Sequence, residues 1–278
     1  MTNHVAGKSI VITGAGGGFG SLVSRKAAAM GAFVTCGDID LAAAQGVVDA
    51  IVAAGGKAQA VEVDVTSLAA TKALVARAVE AFGAVDVMIN NAGIMPLAFF
   101  ADHEAAYPAW ERCIDINIKG VLNGMVAAYD PMMAAGRGQM INLSSIYGNF
   151  PVIGAAVYGA SKAAVNFLSE SLRVESRGKI KVTTVKPTGV PTTGLSGTVV
   201  NQAAGIGIVA HNMPEFMEMV GQMGEGTFPA ERLDPASMDY ASLAPEHIAD
   251  AIIHAINQPW GVSIADVTVR AAGDHFVL

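Results

Sequence analysis

Tyr158 and Lys162 stand four residues apart in the run Tyr158-Gly159-Ala160-Ser161-Lys162, so a helix there carries both side chains on one face. An ordinary phenol titrates near ~10 and is a poor base at neutral pH. An ammonium ~5 Å away, at an effective dielectric of ~20, contributes about 3 kcal/mol, or roughly two pKa units. That shift brings the phenol toward the range of acid–base catalysis, so the chemistry within reach is proton transfer at a substrate oxygen. The same spacing also arises from a packed tyrosine beside a snorkelling lysine, so the pair needs partners to acquire meaning.

A second group of residues suits phosphate binding. Thr13-Gly14-Ala15-Gly16-Gly17-Gly18-Phe19-Gly20 follows the strand-like Ser9 to Thr13 and precedes a helical pattern from Ser21 to Met30. Glycines there let the backbone turn tightly and approach a pyrophosphate, whose charge the N–H groups of the following helix stabilise. Eighteen residues beyond Gly20, Asp38 ends the run Phe33 to Asp38. A carboxylate at that point accepts hydrogen bonds from the two ribose hydroxyls of NAD and repels the extra phosphate of NADP. Neither the glycine run nor the residues immediately around Asp38 include Arg or Lys, the partners a phosphate would need. NAD is the expected cofactor.

These residues need a scaffold, and its pattern is regular. Strand-length runs at Ser9–Thr13, Phe33–Cys36, Ala58–Glu62, Val85–Asn90, Gln139–Leu143, Lys181–Val185 and Val267–Arg270 alternate with helical stretches. The helices are expected over Ser21–Met30, Leu41–Ala54, Leu68–Phe82, Ala105–Ala134, Ala155–Arg177 and Pro245–Asn257, the last with Pro245 and Glu246 in its first turn. Alternation of this kind predicts a single-domain, Rossmann-type, doubly wound parallel sheet of about seven strands with helices on both faces. One domain spanning residues 1–278 is expected. Residues 191–244 break the rhythm with about fifty residues rich in Met, Gly and Pro, and are expected to form a substrate-binding insertion. Met213, Met217, Met219 and Met223 could line an adaptable apolar lid or form the buried face of a short helix.

Composition narrows the partners. The 278 residues are 52% hydrophobic and 15% charged, with a formal charge of -7, which speaks against a nucleic-acid partner. Two cysteines, Cys36 and Cys113, are too few for a disulfide framework and read as reduced core residues. Six scattered histidines and the lack of an HExxH pattern give no reason to expect a metal. With no signal-like opening segment and no apolar run of ~20 residues, the expectation is a cytoplasmic protein without a membrane span.

The order and spacing of these pieces resemble the short-chain dehydrogenase/reductase family over nearly the whole chain. The matching residues are Thr13 to Gly20, Asp64-Val65, Asn90-Asn91-Ala92-Gly93, Asn117, Ser145, and Tyr158 with Lys162. The resemblance implies that Tyr158 is the acid/base, that Lys162 holds the nicotinamide ribose and lowers the tyrosine pKa, and that Ser145 hydrogen-bonds the substrate oxygen. Ser145 is chosen over Ser144 because it stands thirteen residues before Tyr158. Asn117 would position a proton-relay water. Gly14, Gly16, Gly18, Phe19 and Gly20 would cradle the cofactor, Asp64 and Val65 would meet the adenine, and Asn91, Ala92 and Gly93 would close against the cofactor. Pro187, Val190 and Thr192 would lie at the carboxamide, although Thr188 occupies the family's usual glycine position and Pro191 interrupts the unit.

The implied activity is NAD-dependent interconversion of a secondary alcohol and a ketone. An apolar pocket lined by Ile94 to Leu97, Tyr147 to Ile153 and the insertion would favour a hydrophobic or cyclic molecule. An oxoacyl-thioester reductase of the same family and a non-catalytic nucleotide sensor remain as alternatives. Relatives of this kind are commonly homodimers or homotetramers packed through the helices at 105–134 and 155–177, and the same assembly is expected here.

Overall fold

The computed structural model describes residues 2–190 and 193–277. Seven strands form one wholly parallel sheet: β1 (Ser9–Thr13), β2 (Phe33–Asp38), β3 (Lys57–Glu62), β4 (Val87–Asn90), β5 (Gly138–Leu143), β6 (Ile180–Pro187) and β7 (Asp266–Val269). Their order is β3-β2-β1-β4-β5-β6-β7. The chain winds outward in one direction from β1 to β3 and in the other from β4 to β7, so the strand order reverses between β1 and β4. In open sheets of this kind, the crevice beyond the strand C-termini at that reversal is where ligands bind.

The strands form because both faces are covered. Every residue of β1, β4 and β5 is buried, as expected of parallel strands that read as near-continuous apolar runs. Ile10 and Ile12 point into a core shared with α1 (Gly18–Ala29), α2 (Leu41–Ala53) and α8 (Pro245–Ile256). Val11 and Met88 point the other way, into a core with α3 (Leu68–Phe82), α5 (Val121–Ala135) and α6 (Ala156–Glu175). Helix starts are fixed locally: the Asp40 side chain accepts from Ala43 N and the Ser67 side chain accepts from Ala70 N. Pro245 opens α8 with Glu246 in its first turn.

All seven strands occur where the sequence pattern puts them, with ends differing by at most two residues at either side. The expected helix over Ala105–Ala134 differs in kind. It is α4 (His103–Cys113), a π-helical segment (Ile114–Gly120) and α5 in unbroken succession. Glycines permit the close packing that follows: a Cβ on Gly120 would meet Val65 Cγ2 at 2.8 Å, and one on Gly124 would overlap Asn90 Oδ1. Between β6 and α8 lie short 3-10 turns and one further helix, α7 (Met213–Glu225). No helix among the described residues is long and apolar enough to cross a membrane.

Candidate active site

The glycine run closes β1 and opens α1. Gly14 has φ +65°, and a Cβ there would lie 2.9 Å from Ala92 Cα; a Cβ on Gly16 would lie 2.8 Å from that of Ala43. Asn91 ties this turn to β4, its side-chain amide donating to Thr13 O (2.9 Å) and Gly14 O (3.0 Å). Asn90 continues the polar ladder inside the sheet by donating to Asn142 Oδ1 at 2.7 Å, while Asn142 donates to Ser169 Oγ at 2.9 Å. Helix α1 starts at Gly18 with no side-chain cap and no acidic residue in its first turn, and a Cβ on Gly17 would meet nothing within 4 Å. Open space beside an uncapped helix N-terminus fits a diphosphate.

Asp38 stands at the same turn. Its Oδ2 accepts from Gly16 N at 2.8 Å and its Oδ1 from Asp40 N at 3.0 Å. Asp64 follows β3 and is exposed, accepting from Thr66 N and Thr66 Oγ1. Val65 is buried, and its carbonyl accepts from Asn123 at 2.7 Å. Thus Gly14 to Gly20, Asp38, Asp64, Val65 and Asn91 to Gly93 all lie beyond the C-terminal ends of β1 to β4.

A cavity of about 420 Å³ continues from this crevice across the ends of β5 and β6. Phe19, Asn91, Gly93, Ser145, Tyr158 and Lys162 line it together. Ser145 leaves β5 in extended backbone (φ -168°, ψ 160°) and caps the short turn Ile146–Gly148, while Tyr158 and Lys162 come from the first two turns of α6. All three are buried. Ser144, by contrast, donates to Lys162 O at 3.0 Å, the structural role of a strand end.

Charge behaves differently from expectation. Burial pushes the Tyr158 phenol up, and this outweighs the opposing hydrogen bond from Ser145; Tyr147 and Cys113 raise it further. Lys162 is itself pulled down to about 8, chiefly by burial, with Cys113 acting the other way. Its ammonium donates to Leu143 O at 2.8 Å and lies 5.7 Å from the centroid of the Tyr158 ring. Burial sets the direction of both shifts, and Lys162 is not among the groups that move the phenol.

The Asn117 side chain is held by protein partners. It is fully buried in the π segment, where its amide accepts from Ile94 N (2.9 Å) and donates to Ile94 O (2.9 Å) and Ser161 Oγ (3.1 Å). The amide thus clamps the loop after β4 to α6, with both N–H donors committed to protein partners.

The remaining expectations divide. Pro187, Thr188 and Val190 line the cavity, while Thr192 and Pro191 lie outside the described residues. Thr188 is buried, and its hydroxyl has no hydrogen-bond partner among the described residues. Ile94, Met95 and Leu97 line the cavity as anticipated, as does Tyr147, but Phe150 and Ile153 are 64% and 75% exposed and take no part. Of the four methionines, Met219 and Met223 face the cavity together with Phe216 and Val220. These positions are spaced as one helical face, which leaves Met217 on the outer side and 54% exposed. Met213 packs instead near Ile146 and Ile208.

Phe276 is a wall that no sequence pattern announces. Its ring occupies the space a Cβ on Gly189 would need. The adjoining His275 is buried; its ring meets Phe216 edge-on at 6.2 Å, and its carbonyl accepts from Asn212 Nδ2 at 3.0 Å. Val277 N donates to Ile208 O at 3.1 Å. The segment after β7 therefore holds α7 and the loop after β6 in one arrangement.

A doubly wound sheet, a diphosphate cradle and a buried Ser-Tyr-Lys cluster beside an apolar cavity define a nicotinamide-using oxidoreductase. The chain matches the short chain dehydrogenase family over residues 8–203, and it belongs to that family. It is 38% identical over 194 residues to the 2,5-dichloro-2,5-cyclohexadiene-1,4-diol dehydrogenase of Sphingobium indicum, covering 69% of this chain and 76% of that protein. Identity is 37% over 188 residues to the cyclohexanol dehydrogenase of an Acinetobacter species, covering 67% of this chain and 74% of the relative. It is also 37% over 192 residues to the 3-alpha-(or 20-beta)-hydroxysteroid dehydrogenase of Mycobacterium tuberculosis, covering 67% and 70%. Among solved structures, a metagenomic short-chain oxidoreductase in complex with NADP superposes with a TM-score of 0.72 at 28% identity, over 96% of this chain and 98% of that one. An alcohol dehydrogenase of the archaeon Thermococcus sibiricus, complexed with 5-hydroxy-NADP, shares the fold with a TM-score of 0.76 at 20% identity, over 96% and 97%. These relatives support an alcohol oxidoreductase acting on a small molecule.

Proposed function

We propose that this chain is an NAD-preferring dehydrogenase that interconverts a hydrophobic, cyclic secondary alcohol and its ketone. The observation that carries the reading is the convergence of Ser145, Tyr158 and Lys162 on a cavity whose lining is otherwise mostly apolar. When bound, the oxidised nicotinamide supplies a hydride acceptor at C4 and a positive charge near Tyr158. Ser145 Oγ and Tyr158 Oη hold the substrate oxygen. With the charges of Lys162 and the bound nicotinamide beside it, Tyr158 would act as the phenolate, taking the hydroxyl proton in oxidation, and as the phenol would give a proton to the carbonyl oxygen in reduction. Lys162 holds the ribose and places its charge below the phenol.

Asn117 acts as a positioning residue, fixing the loop at Ile94 against α6. Pro187 and Val190 contact the carboxamide side of the ring. The preference for NAD rests on Asp38, whose carboxylate sits at the glycine turn where a 2′-phosphate would be repelled. The chain works as one catalytic unit, with residues 191–244 as its substrate-binding insertion. Cyclic alcohol substrates fit the activities for which the Acinetobacter, Sphingobium and Mycobacterium relatives are named and the apolar walls at Leu97, Val199, Phe216 and Phe276.

The test is a panel of cyclic and open-chain secondary alcohols assayed with NAD and with NADP, using wild type and Tyr158→Phe. The expected result is turnover of cyclic alcohols with NAD and a fall of ~10²-fold or more in kcat for the variant. Equal turnover by Tyr158→Phe would sink the acid–base assignment, and a preference for NADP would sink that of Asp38.

A further inference from the structure

Opposite the catalytic end, where β5 and β6 begin, lies a second cavity of about 590 Å³. Arg137, Arg173, Arg177, Lys179 and Lys181 line it, with Trp260 as its aromatic wall. Ser145 and Pro187 follow the other ends of these same strands. Six residues of extended chain therefore separate the two sites by roughly 20 Å.

The charge here is lopsided in a chain whose formal charge is -7. Lys8, Arg137 and Lys181 all lie against the Trp260 ring, at 4.5, 5.3 and 5.4 Å from its centroid. Two of these cations are buried and satisfied only by carbonyls: Lys8 Nζ donates to Ile256 O at 2.8 Å, and Lys181 Nζ donates to Val262 O at 3.0 Å and Pro259 O at 3.3 Å. An ammonium has three donors, so Lys181 keeps one for the cavity it lines. Acidic partners are few. Asp86 lies 3.8 Å from Arg137 while accepting from Ser9 N, and Glu170 pairs with Arg173 at 2.7 Å. Among the described residues, Lys8, Arg177, Lys179 and Lys181 form no ion pair. Burial first, then the neighbouring Lys181, pulls Lys8 down to about 8, with Asp86 acting the other way.

We propose that this basic cavity binds a small, multiply charged anion, one carrying two or more phosphate or carboxylate groups. The guanidinium forks of Arg137 and Arg177 suit bidentate recognition of such groups, Lys179 and the free donor of Lys181 add point charges, and Trp260 closes one side. The inference is independent of the substrate and cofactor assigned above.

Trp260 supplies the readout, because the other tryptophan, Trp110, is buried elsewhere, against Ala98 and Ala106. Inorganic pyrophosphate and, separately, citrate are titrated into the protein at low ionic strength while tryptophan emission is followed. Saturating oxidised dinucleotide keeps the cradle at α1 filled. Saturable change with pyrophosphate alone, citrate alone or both supports the site and identifies the anion. Arg177→Ala/Lys179→Ala, which alters only exposed side chains, is expected to weaken binding roughly tenfold or more while leaving alcohol turnover unchanged. Trp260→Phe is expected to lose the signal yet keep the heat of binding in calorimetry. No saturable signal with either anion, or equal affinity in wild type and the double variant, would overturn the proposal.

Discussion

Lys162 offers the sharpest link between the buried site and a measurable stability. Its side chain is 5% exposed, and burial pulls its pKa from 10.5 down to about 8. The folded protein thus binds this proton more weakly than the unfolded chain, by about 3 kcal/mol. The sign follows from linkage: between these two values the unfolded state holds more protons, so this lysine's contribution to stability improves as pH rises through the folded pKa. Integrated from pH 7 to pH 10, the improvement is about 2.5 kcal/mol. Lys162→Met removes the titrating group, together with the bond to Leu143 O, whose loss offsets the two curves by an amount independent of pH. Urea unfolding of wild type and Lys162→Met at pH 7, 8.5 and 10 isolates the effect, because other titrating groups cancel in the difference. Wild type is expected to gain on the variant by about 2.5 kcal/mol across the range, while the variant loses alcohol turnover at every pH. Parallel stability curves would refute the argument that Lys162 is a desolvated charge in the folded state.

Three further outcomes follow from named contacts. Asp38→Ala should weaken NAD binding by roughly 10-fold to 100-fold, the worth of hydrogen bonds to a charged group, with NADP affected least; equilibrium binding followed by fluorescence checks it. Gly189→Ala should cost about 1–3 kcal/mol by forcing the Phe276 ring aside, and Gly189→Ala combined with Phe276→Ala should recover part of that loss in thermal melts. Thr188→Val replaces a buried hydroxyl that has no partner with a methyl of the same shape, so a gain of about 1 kcal/mol, or roughly 2 °C in Tm, is expected by calorimetry.

The sheet was legible because buried parallel strands have no choice but to be apolar: Ser9–Thr13 and Gln139–Leu143 advertise themselves as short β-branched runs between helical patterns. The catalytic cluster was legible through spacing, since Ser145 and Tyr158 come together on consecutive elements, β5 and α6. What composition and spacing could not show was competition for each group. The amide of Asn117 is claimed by Ile94 and Ser161, and burial moves the Tyr158 phenol up and the Lys162 ammonium down. The π-helical segment was likewise hidden, because Ile114–Gly120 continues a helical pattern that does not distinguish the wider winding from an α-helix. Phe276 gave no signal at all, since its place depends on a tail that crosses back over Gly189.

The pocket is drawn from two stretches of chain. The proton-transfer wall lies within residues 8–203, the part that matches the family, whereas Phe216, Met219, Met223 and Phe276 all lie beyond it. Mutation in the later stretch can reshape what enters without touching Ser145, Tyr158 or Lys162. Likeness to known dehydrogenases therefore guides the reaction more closely than it does the shape of the pocket's outer wall. For engineering, the stretch from α7 through the final residues is the place to randomise.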